Sequence, residues 1–277
     1  MEYTATDLHQ INEITDHLIL LDDIFFSAVF DGRPKEASII LNILLEKDDI
    51  NIVDAKTQYS IDNLYGKSVR FDLFATDDKG RQYDVEIQKD VRGASALRAR
   101  YYASLIDLAS LRKGADYKQL PETYVIFISE KNVLKSSNSQ TRIERVILES
   151  EQSFGDCQHI LYVNGEVKDG SSISHLMEDF MNEDYRTMYI SELAEVVKYY
   201  KTTEKGRERM NELQMKLIQR KTAEARDEGI IEGRIEGVLQ NQNDIVTRMI
   251  GNHFSIENIS DITGIPLDLV KKIATQL

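Results

Sequence analysis

Two acidic side chains on neighbouring predicted strands have the spacing of a metal site. Residues 69–76 and 82–88 each alternate apolar and polar side chains with the period of two expected of strands. A three-residue turn over 78–80 would place Asp72 directly opposite Glu86. Side chains in that relation share a face, with Cβ atoms roughly 5 Å apart. Because two like charges so close repel each other unless a cation lies between them, the hairpin predicts a metal site.

Two other interpretations of this hairpin remain open. Gly80 suits the left-handed position of a three-residue turn, but a four-residue turn over 77–80 would slip the register by one residue. That slip would place Asp72 and Glu86 on opposite faces. An Asp and a Glu in register can also form an ordinary solvated face. The spacing therefore indicates a site without establishing one.

The composition predicts a soluble, cytoplasmic protein with no membrane partner. Of its 277 residues, 42% are hydrophobic and 29% are charged, which is ordinary for a globular chain. No apolar run approaches the roughly 18 residues that span a bilayer, and residues 1–10 show no secretory pattern. The single cysteine, Cys157, excludes an internal disulfide framework, which fits a reducing compartment.

The net charge of −13 argues against a nucleic-acid partner, but the distribution of charge weakens that argument. Residues 1–65 hold 4 basic and 13 acidic side chains, a net of −9, and residues 121–277 hold 19 and 26, a net of −7. Residues 66–120, which contain the hairpin, hold 11 basic and 8 acidic side chains, a net of +3. A phosphate backbone can bind there despite a repulsive periphery. Chance fluctuation is the alternative.

The pattern of elements around the hairpin predicts a mixed α/β fold. The order is helix, three strands, helix and strand, which predicts a mixed central sheet flanked by helices. An almost entirely apolar strand near 122–129 predicts a central position covered on both faces. The predicted elements are a helix over 22–47 with Pro34 in a first turn, strands near 50–61, 68–76 and 81–89, a helix from its Ser95 cap to about Lys113, strands near 122–129 and 158–163, a loop over 131–141, and helices from about 174.

The C-terminal part reads as a helical extension. Residues 204–240 form a charged helix with a Glu-Gly repeat at 228–229, 232–233 and 236–237. Glycines four residues apart lie on one stripe, which favours self-association as a homodimer; a weakly stable tether is the alternative. Residues 255–273 have helix-turn-helix spacing, but Pro266, Leu267 and Asp268 are poor side chains for contacting DNA. Protein contact and simple capping therefore remain open beside DNA reading.

In this order of elements, the hairpin resembles the PD-(D/E)xK nuclease superfamily, and more closely the Rpn-type (recombination-promoting) nucleases, also described as PD-(D/E)xK family transposases. The resemblance covers most of the chain, and it depends on the order and spacing of motifs that are individually weak. The segments that carry it are Phe71-Asp72-Leu73, Tyr83-Asp84-Val85-Glu86-Ile87-Gln88, Arg98-Ala99-Arg100-Tyr101-Tyr102, Gly114-Ala115-Asp116-Tyr117, Tyr124-Val125-Ile126-Phe127-Ile128, Ile143-Glu144-Arg145-Val146, Phe154-Gly155-Asp156, Tyr162-Val163-Asn164-Gly165 and the Glu-Gly repeat.

The resemblance implies a restriction-endonuclease-like core and a role for each matching residue. Asp72 and Glu86 would ligate Mg²⁺, with Mn²⁺ as a substitute and the Ile87 carbonyl as a third ligand. Oxygen ligands on a hard cation fit this preference. Glu36, in the first helix, matches a position where related nucleases place another catalytic carboxylate near the metal. An ordinary acidic residue at a helix N-terminus is the alternative interpretation of Glu36.

Gln88 is where the chain departs from the wider superfamily, which usually has Lys at this position. A Gln can orient water but supplies no positive charge, so slower chemistry is expected. Glu-x-Gln is nevertheless the usual form within the Rpn-like group. Arg98 and Tyr102 lie on the following helix and are candidates for contact with DNA phosphates. Lys89 falls on the opposite strand face, so we do not expect it to replace the missing Lys.

These inferences predict a metal-dependent DNA endonuclease of a mobile-element, recombination-promoting type. The alternative is a catalytically weak or inactive DNA- or protein-binding module that self-associates through its helical tail. The acidic total charge and the absent Lys favour the alternative, whereas Asp72, Glu86 and Gln88 favour activity. The predicted organisation is a nuclease-like domain over 1–200, a long helix over 201–240 and a small helical unit over 241–277.

Overall fold

The computed structural model describes residues 12–63 and 66–275 of the chain. It divides into two compact units, Met1–Gln214 and Met215–Leu277. The boundaries predicted from the sequence at 200 and 240 stay a prediction. Residues 1–10, on which the prediction about a secretory signal rests, lie outside the described residues. So do the side chains of the Glu-Gly repeat, apart from Gly237.

A six-stranded mixed sheet forms the centre of the first unit, in the order β1-β2-β3-β4-β8-β5. The first three strands are antiparallel neighbours, β3, β4 and β8 run parallel, and β5 returns antiparallel to β8. A separate two-stranded sheet pairs β6 with β7. The strands are β1 Ile52–Ile61, β2 Val69–Asp77, β3 Gln82–Gln88, β4 Thr123–Ser129, β5 Gln140–Ile143, β6 Val146–Ile147, β7 Gln152–Ser153 and β8 Gln158–Asn164.

Helices cover both faces of this sheet, as the sequence predicts. Helix α3 packs on one face, which we call the α3 face, and helices α1, α2, α4 and α5 pack on the other, which we call the four-helix face. Strand β4 shows the alternation: Ile126 faces the four helices and Phe127 faces α3, so every residue of the strand is buried. The helices are α1 Asp23–Phe30, α2 Pro34–Leu45, α3 Ala96–Ser110, α4 Ser172–Phe180 and α5 Ser191–Thr202.

Some boundaries differ from the sequence prediction. The single helix expected over 22–47 is two helices, because Gly32 has a φ of +64° and breaks the first helix before Pro34 opens the second. Helix α3 begins after its Ser95 cap as predicted but ends at Ser110 instead of Lys113. The loop expected over 131–141 gives way to strand β5 at Gln140, a mostly polar strand defined by its pairing with β8.

The second unit contains the short helices predicted around a Gly turn. Gly264, with a φ of +70°, ends the first of them, and the Ser255 side chain caps its start. A small apolar core joins them to the end of the long helix α6 through Val246, Ile259 and Val270. These helices are α6 Glu204–Gly251, α7 Ile256–Thr263 and α8 Leu267–Ala274. Over the described residues, no helix combines the length and the apolar character that a membrane span needs.

Candidate active site

The β2–β3 hairpin has the three-residue turn predicted from the sequence. Leu73 pairs with Val85 and Ala75 with Tyr83, which is the register that this turn requires. Gly80 has a φ of +81°, and its N–H donates to the Asp77 carbonyl at 3.1 Å. The four-residue alternative, with its slipped register, is therefore wrong.

The Asp77 carboxylate fixes the turn. It is buried and accepts hydrogen bonds from Arg81 N at 2.8 Å, Arg81 Nε at 2.5 Å and the Tyr83 hydroxyl at 2.9 Å. Lys79 N donates to it as well, at 3.0 Å. Both carboxylate oxygens are thus occupied by donors from the turn and from β3, which stabilises the register that aligns the rest of the hairpin.

Farther along the hairpin, the carboxylates of Asp72 and Glu86 connect the two strands. Asp72 N donates to Glu86 Oε1 at 3.1 Å, and Ile87 N donates to Asp72 Oδ2 at 3.0 Å. Each carboxylate accepts a hydrogen bond from the backbone of the opposite strand. The structure therefore brings together the two acidic residues that the sequence pairs.

The apolar side chains of β2 change from one face of the sheet to the other at Asp72. The regular alternation in the sequence does not predict this change. Leu73 packs on the four-helix face, whereas Phe71 packs on the α3 face. Opposite Asp72, β1 carries Gln58 with a φ of +53°, a backbone conformation that is uncommon outside glycine. The prediction of one unbroken apolar face along β2 is therefore wrong. The distortion in β1 lies beside the point where β2 reverses its facing.

Asp84 is an acidic residue of the site that the pairing of Asp72 with Glu86 does not identify. It is 0% exposed, and neither of its carboxylate oxygens has a hydrogen-bond partner within the described part of the chain. Its carboxyl lies against that of Glu86, so a hydrogen bond between them requires a proton on one of the two. The available signal was its place two residues before Glu86 on the same strand face.

Burial and mutual repulsion make these carboxyls hard to ionise. Burial, followed by the charge of Glu86, raises the pKa of Asp72 to about 8. The same two causes hold the pKa of Asp84 well above its ordinary value. Burial also raises the pKa of Glu86, although the Arg98 guanidinium acts in the opposite direction. The protein thus keeps three carboxyls where their charges are poorly compensated.

Arg98 and Tyr102, the predicted phosphate contacts, lie beside these carboxyls on α3. The guanidinium of Arg98 forms an ion pair with Glu86 and donates from Nη1 to the Gly93 carbonyl at 2.7 Å. It also lies 4.7 Å from the centre of the Tyr102 ring. Burial raises the pKa of Tyr102 to about 12, so its hydroxyl stays protonated at neutral pH. The positive charge of Arg98 is therefore compensated by the Glu86 carboxylate in this structure.

Gln88 lies at the end of β3 against the short turn that precedes α3. A Cβ built on Gly93 would lie 1.7 Å from Gln88 Oε1 and 2.6 Å from its Cδ, so the amide can keep this position only while residue 93 is glycine. Lys89 forms an ion pair with Asp22 at 2.5 Å, away from the carboxyl group of Glu86. As predicted, Lys89 does not replace the Lys that the wider superfamily has at the position of Gln88.

Glu36 forms an ion pair with a neighbouring residue of its own helix start, and its catalytic role stays a prediction. It lies 3.8 Å from the Arg33 guanidinium, which in turn contacts the Tyr200 ring of α5. The helical carboxylate whose charge acts on Asp72 and Glu86 is instead Asp23, in the first turn of α1. Asp23 is therefore a second candidate, beside Glu36, for the helical carboxylate that the resemblance implies.

The family of the chain follows from a comparison with protein-family models. The model described as PD-(D/E)XK nuclease family transposase matches residues 21–227, which include the whole sheet and the site. The chain belongs to this family. As a PD-(D/E)XK nuclease family transposase it has a nuclease-like function, and the mixed sheet with flanking helices agrees with that fold. Searches among curated proteins and solved structures give no match.

The donor set of this PD-(D/E)XK site fits a hard divalent cation. Asp72, Asp84 and Glu86 offer carboxylate oxygens, the ligands such ions prefer, and the unpartnered oxygens of Asp84 are buried. Among the described residues, no three acidic, histidine or cysteine side chains are yet arranged to hold a metal. The contacts explain this, because Glu86 is turned towards Arg98 and the Asp72 backbone. A cation has to compete with Arg98 for Glu86.

Proposed function

We propose that the protein is a metal-dependent DNA endonuclease that hydrolyses phosphodiester bonds, of a mobile-element, recombination-promoting type. The observation that carries the proposal is the meeting of Asp72 and Glu86 across β2 and β3 in a buried setting that raises both pKa values. Membership of the PD-(D/E)XK nuclease family transposases supports a nuclease. The two poorly compensated carboxylates support metal dependence, because carboxylate oxygens are ligands that hard divalent cations prefer.

Asp72 and Glu86 would hold Mg²⁺, or Mn²⁺ in its place, with the Ile87 carbonyl as a further oxygen. A divalent ion bound there polarises a phosphate and lowers the pKa of a bound water. Asp72 Oδ2 is oriented by the Ile87 N–H, and Glu86 Oε1 by the Asp72 N–H. The backbone therefore positions one oxygen of each ligand before any ion arrives, which reduces the reorganisation that binding requires.

Three other side chains have roles towards DNA in this proposal. Arg98 presents a planar guanidinium at the site, and a phosphate can take the place of Glu86 as its partner. The ring of Tyr102 packs against that guanidinium and helps to hold it in position. Gln88 can hold a water by hydrogen bonding through its amide but adds no positive charge. The net positive charge of residues 66–120, which include the candidate site, would attract the phosphate backbone of DNA.

Nicking of supercoiled plasmid DNA with Mg²⁺ or Mn²⁺ tests this function. Asp72→Asn keeps the shape of the side chain and removes its charge, so we expect it to abolish nicking. Asp78→Asn is the matched control, because Asp78 is exposed on the turn of the same hairpin and contacts Asn51 at 3.1 Å. Equal nicking by wild type and Asp72→Asn would contradict the proposal.

A second candidate function is favoured by the contacts of Glu86 and Gln88. Glu86 is paired with Arg98, and Gln88 supplies no charge, so the protein can instead be a weak or inactive DNA- or protein-binding module. Self-association through the helical tail belongs to this candidate. DNA binding in EDTA, compared with nicking in Mn²⁺, separates the two. Retained binding with no nicking in Mg²⁺ or Mn²⁺ identifies the module, and sedimentation of the full chain measures its oligomeric state.

A further inference from the structure

Asp84 is the least compensated charged side chain of the candidate site. It lies in the middle of the sheet, level with Phe74 of β2 and Val125 of β4, and it is 0% exposed. Both carboxylate oxygens lack a hydrogen-bond donor in the part of the chain that is described. Asp77, on the same hairpin, has donors on both of its oxygens. A hairpin that can satisfy one buried carboxylate leaves the other unsatisfied.

Such a group is expensive to retain. An unpaired buried carboxylate either attracts a compensating charge or takes up a proton, and native proteins rarely leave one unpartnered without a functional reason. The nearest positive charge, that of Arg98, is directed to Glu86 and to the Gly93 carbonyl. The neighbouring group on the same strand face is the carboxyl of Glu86, which repels Asp84 when both are ionised.

The acidic side chains of the site outnumber its positive charge. Asp72, Asp84, Glu86 and the neighbouring Asp23 carry four negative charges when ionised, and Arg98 carries one positive charge. A divalent cation would compensate part of this excess, as buried charges in proteins are paired or coordinate metals. Asp72 and Glu86 each have one oxygen engaged with a backbone N–H, whereas Asp84 has two unengaged oxygens.

We propose that Asp84 is a third carboxylate ligand of the divalent cation, beside Asp72 and Glu86. The proposal rests on the proposed function and deepens it, because it assigns to the site a residue outside the pair that the sequence identifies. Release of Glu86 from Arg98 accompanies binding of the ion. Asp84 then holds the ion from the interior of the sheet, and Arg98 becomes available to a phosphate.

Binding of Mn²⁺ alone to the full-length protein, without DNA, tests the assignment. Asp84→Asn keeps the side-chain shape and removes the charge, so we expect Mn²⁺ affinity in calorimetry to fall by at least about tenfold. The increase in melting temperature that Mn²⁺ gives to wild type should shrink accordingly. Without metal, Asp84→Asn should melt above wild type, because its amide can donate to Glu86. Wild-type Mn²⁺ affinity in Asp84→Asn would overturn the proposal.

Asp179→Asn provides a matched control. Asp179 is equally buried, at 0% exposed, but it accepts hydrogen bonds from Tyr189 N at 2.7 Å and Ile190 N at 2.8 Å. Its replacement should lower the melting temperature without metal and leave the Mn²⁺ affinity of the folded protein unchanged. An equal loss of Mn²⁺ affinity in Asp84→Asn and Asp179→Asn would show a general effect of core damage and would overturn the assignment.

A cysteine variant reports ligation directly and does not depend on the Asn variant. Asp84→Cys in a Cys157→Ser background places a thiolate at the position, and soft thiolates prefer Cd²⁺ to Mn²⁺. We expect a thiolate-to-Cd²⁺ charge-transfer absorption from the Asp84→Cys protein and none from Cys157→Ser alone. A folded Asp84→Cys protein that binds Cd²⁺ without this absorption would overturn the proposal.

The outcomes separate this proposal from the proposed function. If Asp72→Asn loses Mn²⁺ binding and plasmid nicking while Asp84→Asn keeps wild-type Mn²⁺ affinity, the assignment of Asp84 fails and the endonuclease stands. If wild type binds no Mn²⁺ and nicks no DNA, the metal-dependent function fails and the assignment fails with it. Loss of Mn²⁺ binding in both variants, with Asp179→Asn unaffected, supports both proposals.

Discussion

Asp77 and Asp84 lie on one hairpin and are both buried, yet their surroundings are opposite. Burial acts to raise the pKa of Asp77, but hydrogen bonds from Arg81 and Tyr83 outweigh it and hold the pKa below its ordinary value. Asp84 has no such donors over residues 12–63 and 66–275, and its pKa is raised well above the ordinary value. Asp77 is thus a structural carboxylate with fixed hydrogen-bond partners. Asp84 has the raised pKa that is typical of carboxyl groups at functional sites.

The contact between Gln88 and Gly93 gives the first prediction. In Gly93→Ala, the added Cβ would meet only the side chain of Gln88, at 1.7 Å from Oε1. A flexible side chain can move aside, so the free energy of unfolding should change by less than about 1 kcal/mol. The displaced amide can no longer hold water at its present position, so plasmid nicking should fall. Urea unfolding and nicking rates measure the two effects.

A double-mutant comparison isolates the cause of that loss. In a Gln88→Ala background the amide is absent, so Gly93→Ala should have little further effect on nicking. If Gly93→Ala lowers nicking equally in both backgrounds, the turn acts by another route and the role given to Gln88 is wrong.

At the scale of elements, the reversal of β2 at Asp72 brings a prediction about β1. Gln58 has a left-handed backbone beside this reversal, which costs a non-glycine residue roughly 1 kcal/mol. Gln58→Gly should therefore stabilise the protein or leave its stability unchanged. Gln58→Val should destabilise it by roughly 1–2 kcal/mol and weaken Mn²⁺ binding, because a β-branched residue resists this conformation and Asp72 depends on it.

Thr57→Val is the control for Gln58→Val, since Thr57 precedes the distortion and pairs regularly with Leu73. A β-branched replacement of a β-branched residue in regular strand should change neither stability nor Mn²⁺ affinity by much. Thermal unfolding and Mn²⁺ calorimetry measure both variants. Equal behaviour of Gln58→Val and Thr57→Val would show that the conformation of Gln58 does not position Asp72.

Local signals in the sequence predict the elements that carry the site. Gly80 indicates the turn length and with it the register, Ser95 indicates the start of α3, and the apolar run at 123–129 indicates a doubly covered strand. The break at Gly32 and the strand β5 are not predicted, because one glycine does not decide a helix boundary and a mostly polar strand depends on its partner.

The candidate site is predicted only in part, for a related reason. Opposition of Asp72 and Glu86 follows from register, which is local. The unpartnered state of Asp84, the pairing of Arg98 with Glu86 and the location of Glu36 depend on how helices pack against the sheet. Alternation places Asp84 on the correct face, but only the packed structure shows that none of the residues it describes donates to this carboxyl.

At the scale of the whole molecule, the raised pKa of Asp72 links folding to pH. Its carboxyl has an ordinary pKa of 3.8 and a folded pKa of about 8, so the folded state holds this proton more tightly than the unfolded state. Below pH 3.8 the linkage costs no stability, and stability is lost as the pH rises towards about 8. Other groups titrate over the same range, so a comparison with a variant is needed to isolate Asp72.

Asp72→Asn provides that comparison, because it removes the titrating group and keeps the shape of the side chain. In EDTA, the melting temperature of Asp72→Asn should exceed that of wild type by a margin that grows as the pH rises from about 5 to about 8. Adding Mn²⁺ should raise the wild-type melting temperature at the upper end of this range and reduce or reverse the margin, because the ion binds the ionised carboxylate. Asp78→Asn, on the exposed turn of the same hairpin, is the matched control for the substitution itself. A margin between Asp72→Asn and wild type that stays constant with pH would mean that the Asp72 carboxyl is already ionised and compensated in the metal-free protein.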